Sequence, residues 1–512
     1  MPESYDDLVI GSGMAGLAAA ALLVRQGRRV LVLEAHDQPG GYAHSFRLGP
    51  YQFCAQVHYI FGCGEGETVH RLLDRLGLVD AVPFVRLDPE GFDHVVVAGE
   101  RFRIPNGLAT FERRLARRFP EATAALAAYF RIVGAVAREL DLEGGLPRTR
   151  APWALAQAAL RRRHLVRYAR STLADVYDAV AMPPVLRAVL AGQSGDYLLP
   201  PEEVSFLLHV ALVAGYDRGA YYPRHHYGHF VEALADVVRS GPGSALLLGR
   251  TVSAIHVAGD RVVGVSTSAG ERFTASRYLS NVDPRRTQGL LSPPPAAPAP
   301  RGLRDYAYSH STITMYLAVR GLDLRDHGFG SFNLWHYPHA DLARMYRDQV
   351  ERRDLSNPWL FLSTPSLHSD LPGICPPGHQ LLEVATVCDQ AHFLALRQRD
   401  RRAYNKEKQR LREHLLDLIE ATYVPGLRDH LELRVLGTPA TNARFCGAPA
   451  GNAYGAALTP AQVGLGRRPR RSQLSNLWLA NATAGLPSVA GAIGAGMRLV
   501  DAELSTRPEA RR

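Results

Sequence analysis

DDLVIGSGMAGLAAAALLVRQGRRVLVLEAHDQPGG, residues 6–41, decides the fold. Asp6 to Ile10 is a short apolar strand that runs directly into Gly11-Ser12-Gly13-Met14-Ala15-Gly16. Leu17 to Gln26, rich in Ala and Leu, reads as a helix, and Arg29 to Leu33 as a second apolar strand ending at Glu34. That is a βαβ unit. The glycine spacing has a physical cause: Gly11 makes the tight turn, Gly13 lets the backbone approach a pyrophosphate, and Gly16 lets the helix pack closely on the strand. The helix start at Met14 and Ala15 then presents free N–H groups and a partial positive charge to the phosphates. Glu34, followed by Ala35, stands 23 residues after Gly11, where a carboxylate accepts the hydroxyls of an adenosine ribose. A dinucleotide is expected here. Pro39-Gly40-Gly41 suggests a second close backbone approach, as a cofactor extending past the pyrophosphate requires, and favours FAD over NAD.

Beyond this unit, Gln52 to Gly62 (QFCAQVHYIFG) is an apolar segment with one His and one Tyr that would lie near an isoalloxazine. Residues 65–240 read as mostly helical, with Ala, Leu and Arg at helical spacing over Phe111–Phe119, Ala122–Leu140 and Trp153–Val180. From Ser244 to Pro284 the period changes to two. Ala245–Leu248, Thr251–Val257, Arg261–Thr267 and Glu271–Leu279 read as a β-meander. The proline-rich run Ser292–Pro300 is a linker before a mixed section reaching residue 435. Near the C-terminus, Leu477–Ala480 is a short strand followed by Gly485, Gly491, Gly494 and Gly496 and a helix through Leu499.

A length of 512 residues calls for two or three domain-sized units. Hydrophobic residues at 46% and charged residues at 21% are globular values, which excludes a disordered or disulfide-scaffold chain. The net charge is +10, yet the basic residues are almost all Arg, with Lys only at 406 and 408. That skew reads as the codon bias of a GC-rich genome rather than a nucleic-acid footprint, with a membrane surface or acidic partner as the other reading. Five Cys without a C-x-x-C encode neither a zinc site nor a disulfide framework, so a reducing cytoplasm is expected. The acidic N-terminus lacks the charge of a secretory signal, and no apolar run approaches the ~18 residues of a membrane span. Twenty His show no ligand spacing on a helix, so no metal is expected, and Ser12 and Ser194 lack a nucleophile elbow.

Taken together, DLVIGSGMAGLAAA, VLEAHDQPGGYAHSF, VHYIFG, SGDYLLPPEEVSFLLH, GAYYPRHHYGHFVEAL, GDRVVGV with SNVDP, GTPATNARFCGAPAGNAYG and LWLANATAGLPSVAGAIGAG resemble the phytoene desaturase, carotenoid isomerase and retinol saturase family of FAD enzymes, within the larger group that includes amine oxidases. The leaning is toward retinol saturase and carotenoid isomerase. The resemblance implies an α/β fold: a Rossmann-type FAD-binding domain with a β-meander, built from 1–65, 215–290 and 440–512, plus a mixed, largely helical substrate domain from 66–214 and 291–439. Gly11, Gly13, Gly16, Glu34, Gly40 and Gly41 would hold the ADP part of FAD, Val252 would offer its backbone near the adenine, and Ala482, Val489 and Ala490 would lie along the ribityl chain or the flavin ring. Two departures stand out. Relatives commonly write Tyr-Pro-(Arg or Lys)-Gly-Gly where this chain has Tyr222-Pro223-Arg224-His225-His226, and a Gly where it has Asn481 after Ala480.

The implied activity is saturation, desaturation or cis-trans isomerisation of C=C bonds in an apolar polyene or isoprenoid substrate. A proton donor is expected among His58, Tyr59, Tyr222, His225 and His226. Two alternatives remain: a flavin amine oxidase, which would want a flavin-proximal lysine, and a prenyl-lipid escort that has lost the flavin. With only one nucleotide fingerprint, the electron donor or acceptor must be external. Trp153–Thr172, with five Arg among Trp and Leu, suits anionic lipid headgroups, but a solvated basic helix face is the preferred reading; a cytoplasmic place is expected, with peripheral contact on the cytoplasmic membrane as the alternative.

Overall fold

The computed structural model of the chain describes residues 4–140, 160–463, 471–483 and 487–504. β1 (Ser4–Ile10), α1 (Met14–Arg25) and β2 (Val30–Leu33) form the expected βαβ unit, with β2 parallel to β1. Every residue of α1 from Met14 to Leu23 is buried, which is why its Ala and Leu run all round the helix instead of along one stripe. On the other side of β1 lies β3 (Arg272–Ser280), also parallel, and the last three residues of β3 pair in parallel with β4 (Leu477–Leu479). The C-terminal ends of these strands, at Ile10, Leu33, Ser280 and Leu479, share one edge of the sheet. That edge is where open parallel sheets bind ligands.

Both ends of the chain meet on α1. The C-terminal α2 (Val489–Leu499) packs along it so closely that a Cβ at Gly496 would lie 2.5 Å from the Ala15 carbonyl oxygen. Asp7, fully buried on β1, accepts from Arg28 and from Arg277 Nε at 2.7 Å, and Arg277 Nη1 also donates to the Leu504 carbonyl at 2.8 Å. One carboxylate thus joins β1, the entry to β2, β3 and the chain's tail.

Three expectations need correction. Ala245–Leu247 is not a meander strand: it extends the parallel sheet beyond β2, and the antiparallel part consists of Val252–Ala258, Arg261–Thr267 and the start of β3. Three residues carry too little period to tell the two apart. The region read as mostly helical contains Phe84–Arg86, Asp93–Val97 and Glu100–Ile104. Asp93–Val97 (DHVVV) is buried on both faces, so its residues show no apolar-polar alternation to betray it. Phe84–Arg86 pairs with Tyr221–Pro223, and the other two strands join a seven-stranded sheet ordered Leu431–Gly437, Ser311–Arg320, His379–Cys388, Leu360–Ser363, Asn333–Tyr337, Asp93–Val97, Glu100–Ile104. Trp153–Val180 is also not one helix. Residues 153–159 lie outside the described ones, and beyond them Arg163–Arg167 and Leu173–Ala179 are separate. Thr172 and Asp175 form a capping box, the side chain of each accepting the other's backbone N–H at 3.1 and 2.8 Å, and so start a new helix inside the periodic stretch.

Candidate active site

A cleft of about 470 Å³ opens at the shared strand edge. Gly11, Gly13, Met14 and Ala15 wall it on one side, Glu34, Ala35 and Val252 on another, and Ala482 and Val489 close it from the C-terminal segment. Gly40 and Gly41 also line it. Gly16 and Ala490 are not among the cleft-lining residues. A Cβ on Gly16 would stand 2.5 Å from the Gly11 carbonyl oxygen, and Ala490 packs against Gly62.

The cleft fits a dinucleotide on three counts. Gly13 caps α1 without a side-chain hydrogen bond, and no acidic residue occupies the first turn, so the orphan N–H groups there are left for a ligand anion. Gly11, at φ +92°, turns the chain back from β1 in a conformation that disfavours any Cβ. Glu34 is held by the Ser12 N–H and hydroxyl, at 2.7 and 2.6 Å from Oε2, and by the His36 N–H, at 2.9 Å from Oε1. The Gly40-Gly41 pair has an additional reason. The Gly40 N–H donates to the Ser12 carbonyl at 3.0 Å, and a Cβ on Gly41 would stand 3.1 Å from Gly13 Cα. Part of the close approach is therefore to the first glycine turn.

Asn281 was not anticipated. It follows β3 at the sheet edge, donates from Nδ2 to the Ala480 carbonyl and sets Oδ1 where a Gly13 Cβ would collide at 2.4 Å. The signal was its position directly after a strand that ends in the cleft.

Gln56, Val57 and Tyr454 wall another stretch of the cleft, and the chain continues from Val57 into His58 and Tyr59. Reciprocal backbone bonds between Ile60 and Tyr221, at 2.9 and 2.7 Å, hold this segment in place. His58 Nδ1 stands 2.6 Å from Oε2 of the buried Glu383, and its ring lies 4.9 Å from that of Phe361. Tyr59 stacks on Tyr216 at 4.8 Å and faces Phe361 at 6.4 Å. Its hydroxyl reaches two carboxylates, Asp93 Oδ2 at 2.8 Å and Asp196 Oδ2 at 3.2 Å. Sequence reasoning found Tyr59 but neither Asp.

The other proton-donor candidates are placed differently. Tyr222 is buried among the rings of Tyr227 and His368, each at 5.3 Å, and its hydroxyl has no hydrogen-bond partner among the described residues. Burial, and then the Glu383 charge, push it well above the usual phenol range. His225 is exposed at the start of the helix His226–Arg239, its ring 5.3 Å from that of His229; it lines neither the cleft nor the cluster around Tyr59. His226 turns inward, where burial pushes it down to about 3, so it is a neutral packing ring.

Comparison with known proteins agrees with a flavin cofactor. The model of the family described as flavin containing amine oxidoreductase matches residues 14–501. All-trans-retinol 13,14-reductase of Danio rerio is 26% identical over 481 residues, covering 89% of this chain and 78% of that protein. Prolycopene isomerase 1 of an Oncidium hybrid cultivar is 25% identical over 464 residues, covering 88% and 75%. The crystal structure of an oxidoreductase from Methanosarcina mazei superposes with a TM-score of 0.66 at 16% identity, covering 97% of this chain and 100% of that one.

Proposed function

Since the chain belongs to the flavin-containing amine oxidoreductase family, we propose that it uses FAD to act on C=C bonds of an apolar polyene of the retinoid or carotenoid class. When bound, FAD supplies hydride exchange with a carbon laid against its ring. The chain's share is to hold the cofactor through the glycine turns and Glu34, bury the substrate, keep water out and handle the proton.

The observation that supports this reading is a cluster of rings beyond the cleft-lining Tyr454, whose hydroxyl donates to the Gly195 carbonyl at 3.1 Å. Tyr59, Tyr216, Phe361 and Trp335 form a connected set of rings, Trp335 lying 4.5 Å from Phe361, and Ala211, Leu212, Val213 and Ala214 of the helix Phe206–Arg218 stay partly exposed. Rings and aliphatic side chains suit an extended conjugated chain. The amine-oxidising alternative would want a lysine beside the flavin. The chain's two lysines, Lys406 and Lys408, are both on the helix Arg401–Thr422, which packs against the seven-stranded sheet. The escort alternative is disfavoured by the complete glycine cradle.

The test is anaerobic incubation of the yellow holoenzyme, with reduced or oxidised flavin, with retinol, lycopene isomers and phytoene, followed by chromatography. A saturated, desaturated or isomerised polyene is expected. Turnover of amines with every polyene left unchanged would overturn the reading.

Electrons then have to come from or go to an external partner. No helix of the described residues is long and apolar enough to cross a membrane. A peripheral route for the substrate is favoured by Leu160 and Val166, 76% and 52% exposed, which stand among Arg161, Arg163, Arg167 and Arg170. The protein is expected to co-sediment with vesicles containing phosphatidylserine, less so as salt is raised, and not with pure phosphatidylcholine. Equal binding to both would remove the electrostatic part of this idea.

A further inference from the structure

We propose that Asp93 and Asp196 share one proton across Tyr59, and that Asp196 is the catalytic acid that delivers it to the substrate. This rests on the polyene reading above and assigns the proton donor of that same site.

The geometry is a donor count. Tyr59 has one hydroxyl hydrogen and two carboxylate oxygens within reach, 2.8 and 3.2 Å away. Gln193 Nε2 donates to Asp93 Oδ2 at 2.7 Å and to the Tyr59 oxygen at 3.3 Å, and Asn333 Nδ2 donates to Asp93 Oδ1 at 3.3 Å. Asp93 therefore has three donors and is the better placed to carry negative charge. The side chain of Asp196, among the described residues, has only Tyr59, at the longer distance, and is the better placed to carry a proton. Two carboxylates linked through one phenol oxygen away from water do not both ionise.

Burial holds Asp93 well above the usual carboxylate range and pushes Asp196 up to about 7. His58 acts on Asp196 to lower it, but burial outweighs that effect. Tyr197, Tyr216, Tyr337, Tyr346 and Tyr454 are all pushed up by burial and stay neutral, and the cation-capable neighbour, His58, is engaged with Glu383.

Position ties the pair to the cleft. Tyr454, a cleft wall, donates to the carbonyl of Gly195 at 3.1 Å, and a Cβ on Gly195 would stand 2.4 Å from Trp335. The residue before Asp196 is thus clamped between the cleft and the ring wall. Asp93 has no exposed surface, while Asp196 keeps some, so of the two Asp196 is the one open to proton exchange with its surroundings.

In a saturation, the Asp196 O–H bond breaks as a C–H bond forms at one carbon, using the π pair of the C=C bond. FAD, held by the glycine turns and Glu34, would in its reduced form supply the hydride for the neighbouring carbon, its two electrons coming from an external donor. Asp196 is left as carboxylate and is reprotonated from solvent. Asp93 and Tyr59 are positioning residues.

Infrared titration of the substrate-free holoenzyme tests the shared proton. A protonated-carboxyl C=O band is expected that fades as pH rises through about 7, is lost in Asp196→Asn and persists in Tyr59→Phe. With substrate, saturation should fall above the same pH, and Asp196→Asn should lower it roughly 10²- to 10⁴-fold with its flavin content unchanged. Absence of the band, its persistence in Asp196→Asn, or a loss in Tyr59→Phe as large as in Asp196→Asn would overturn the proposal. The two readings fail separately: a band without polyene turnover supports the shared proton and overturns the substrate assignment, and turnover without the band does the reverse.

Discussion

Gly16→Ala is expected to purify without its yellow cofactor. The added Cβ would stand 2.5 Å from the Gly11 carbonyl oxygen and 3.1 Å from Asn281 Cβ. The first of these contacts is backbone, so no side chain can swing aside to relieve it, and either the turn opens or α1 backs away from β1. Both movements spoil the same thing: the aim of the α1 N-terminus at the cleft. An overpacking cost of about 1–3 kcal/mol, charged to the flavin-binding conformation, corresponds to a roughly 10- to 100-fold weaker affinity. Flavin titration followed by fluorescence quenching measures it. Gly289→Ala is the control, since a Cβ there meets nothing within 4 Å, and it should keep its colour. A yellow Gly16→Ala protein with unchanged affinity would mean that the turn does not set the cradle.

Asp7→Ala should produce the largest loss of stability. Asp7 is fully buried and accepts from Arg28 and Arg277, whose side chains are only 11% and 8% exposed. Removing the carboxylate leaves positive charge facing a low-dielectric interior, a change that costs about 3–5 kcal/mol. The contrast is Asp305→Ala, which breaks the ion pair with Arg301, where the two side chains are 59% and 89% exposed; such a pair contributes about 0–1 kcal/mol. Urea unfolding of the two variants separates these cases. Equal midpoints would show that Asp7 does not pin the parallel sheet.

The adjacent histidines show where reading a sequence stops. His225 and His226 are chemically identical and differ by one position, yet the first is exposed and the second has its ring inside. Which one faces the core depends on where the following helix starts, and that is set by the packing of His226–Arg239 on α1. Asp93 was hidden in the same way: its five-residue strand, buried on both faces, shows no alternation to announce itself, and it pairs with Asn333–Tyr337, far away in the chain.

The cofactor cradle was legible because its demands are local. A strand, a turn through Gly11 and Gly13 and a helix start lie within a few residues of one another, and the backbone angles of that turn admit few residue types, so composition at each position reports geometry directly. The proton site answers to other causes. Tyr59 meets Asp93 across 34 residues and Asp196 across 137, and nothing near any of the three marks the meeting. Sharing a proton requires two acids to be brought together and water to be shut out, and only tertiary packing, which sets the turn Ser194–Asp196 and the segment at Tyr59 against the strand Asp93–Val97, does both, because charge repulsion and desolvation belong to distances in space and not to spacing along a chain.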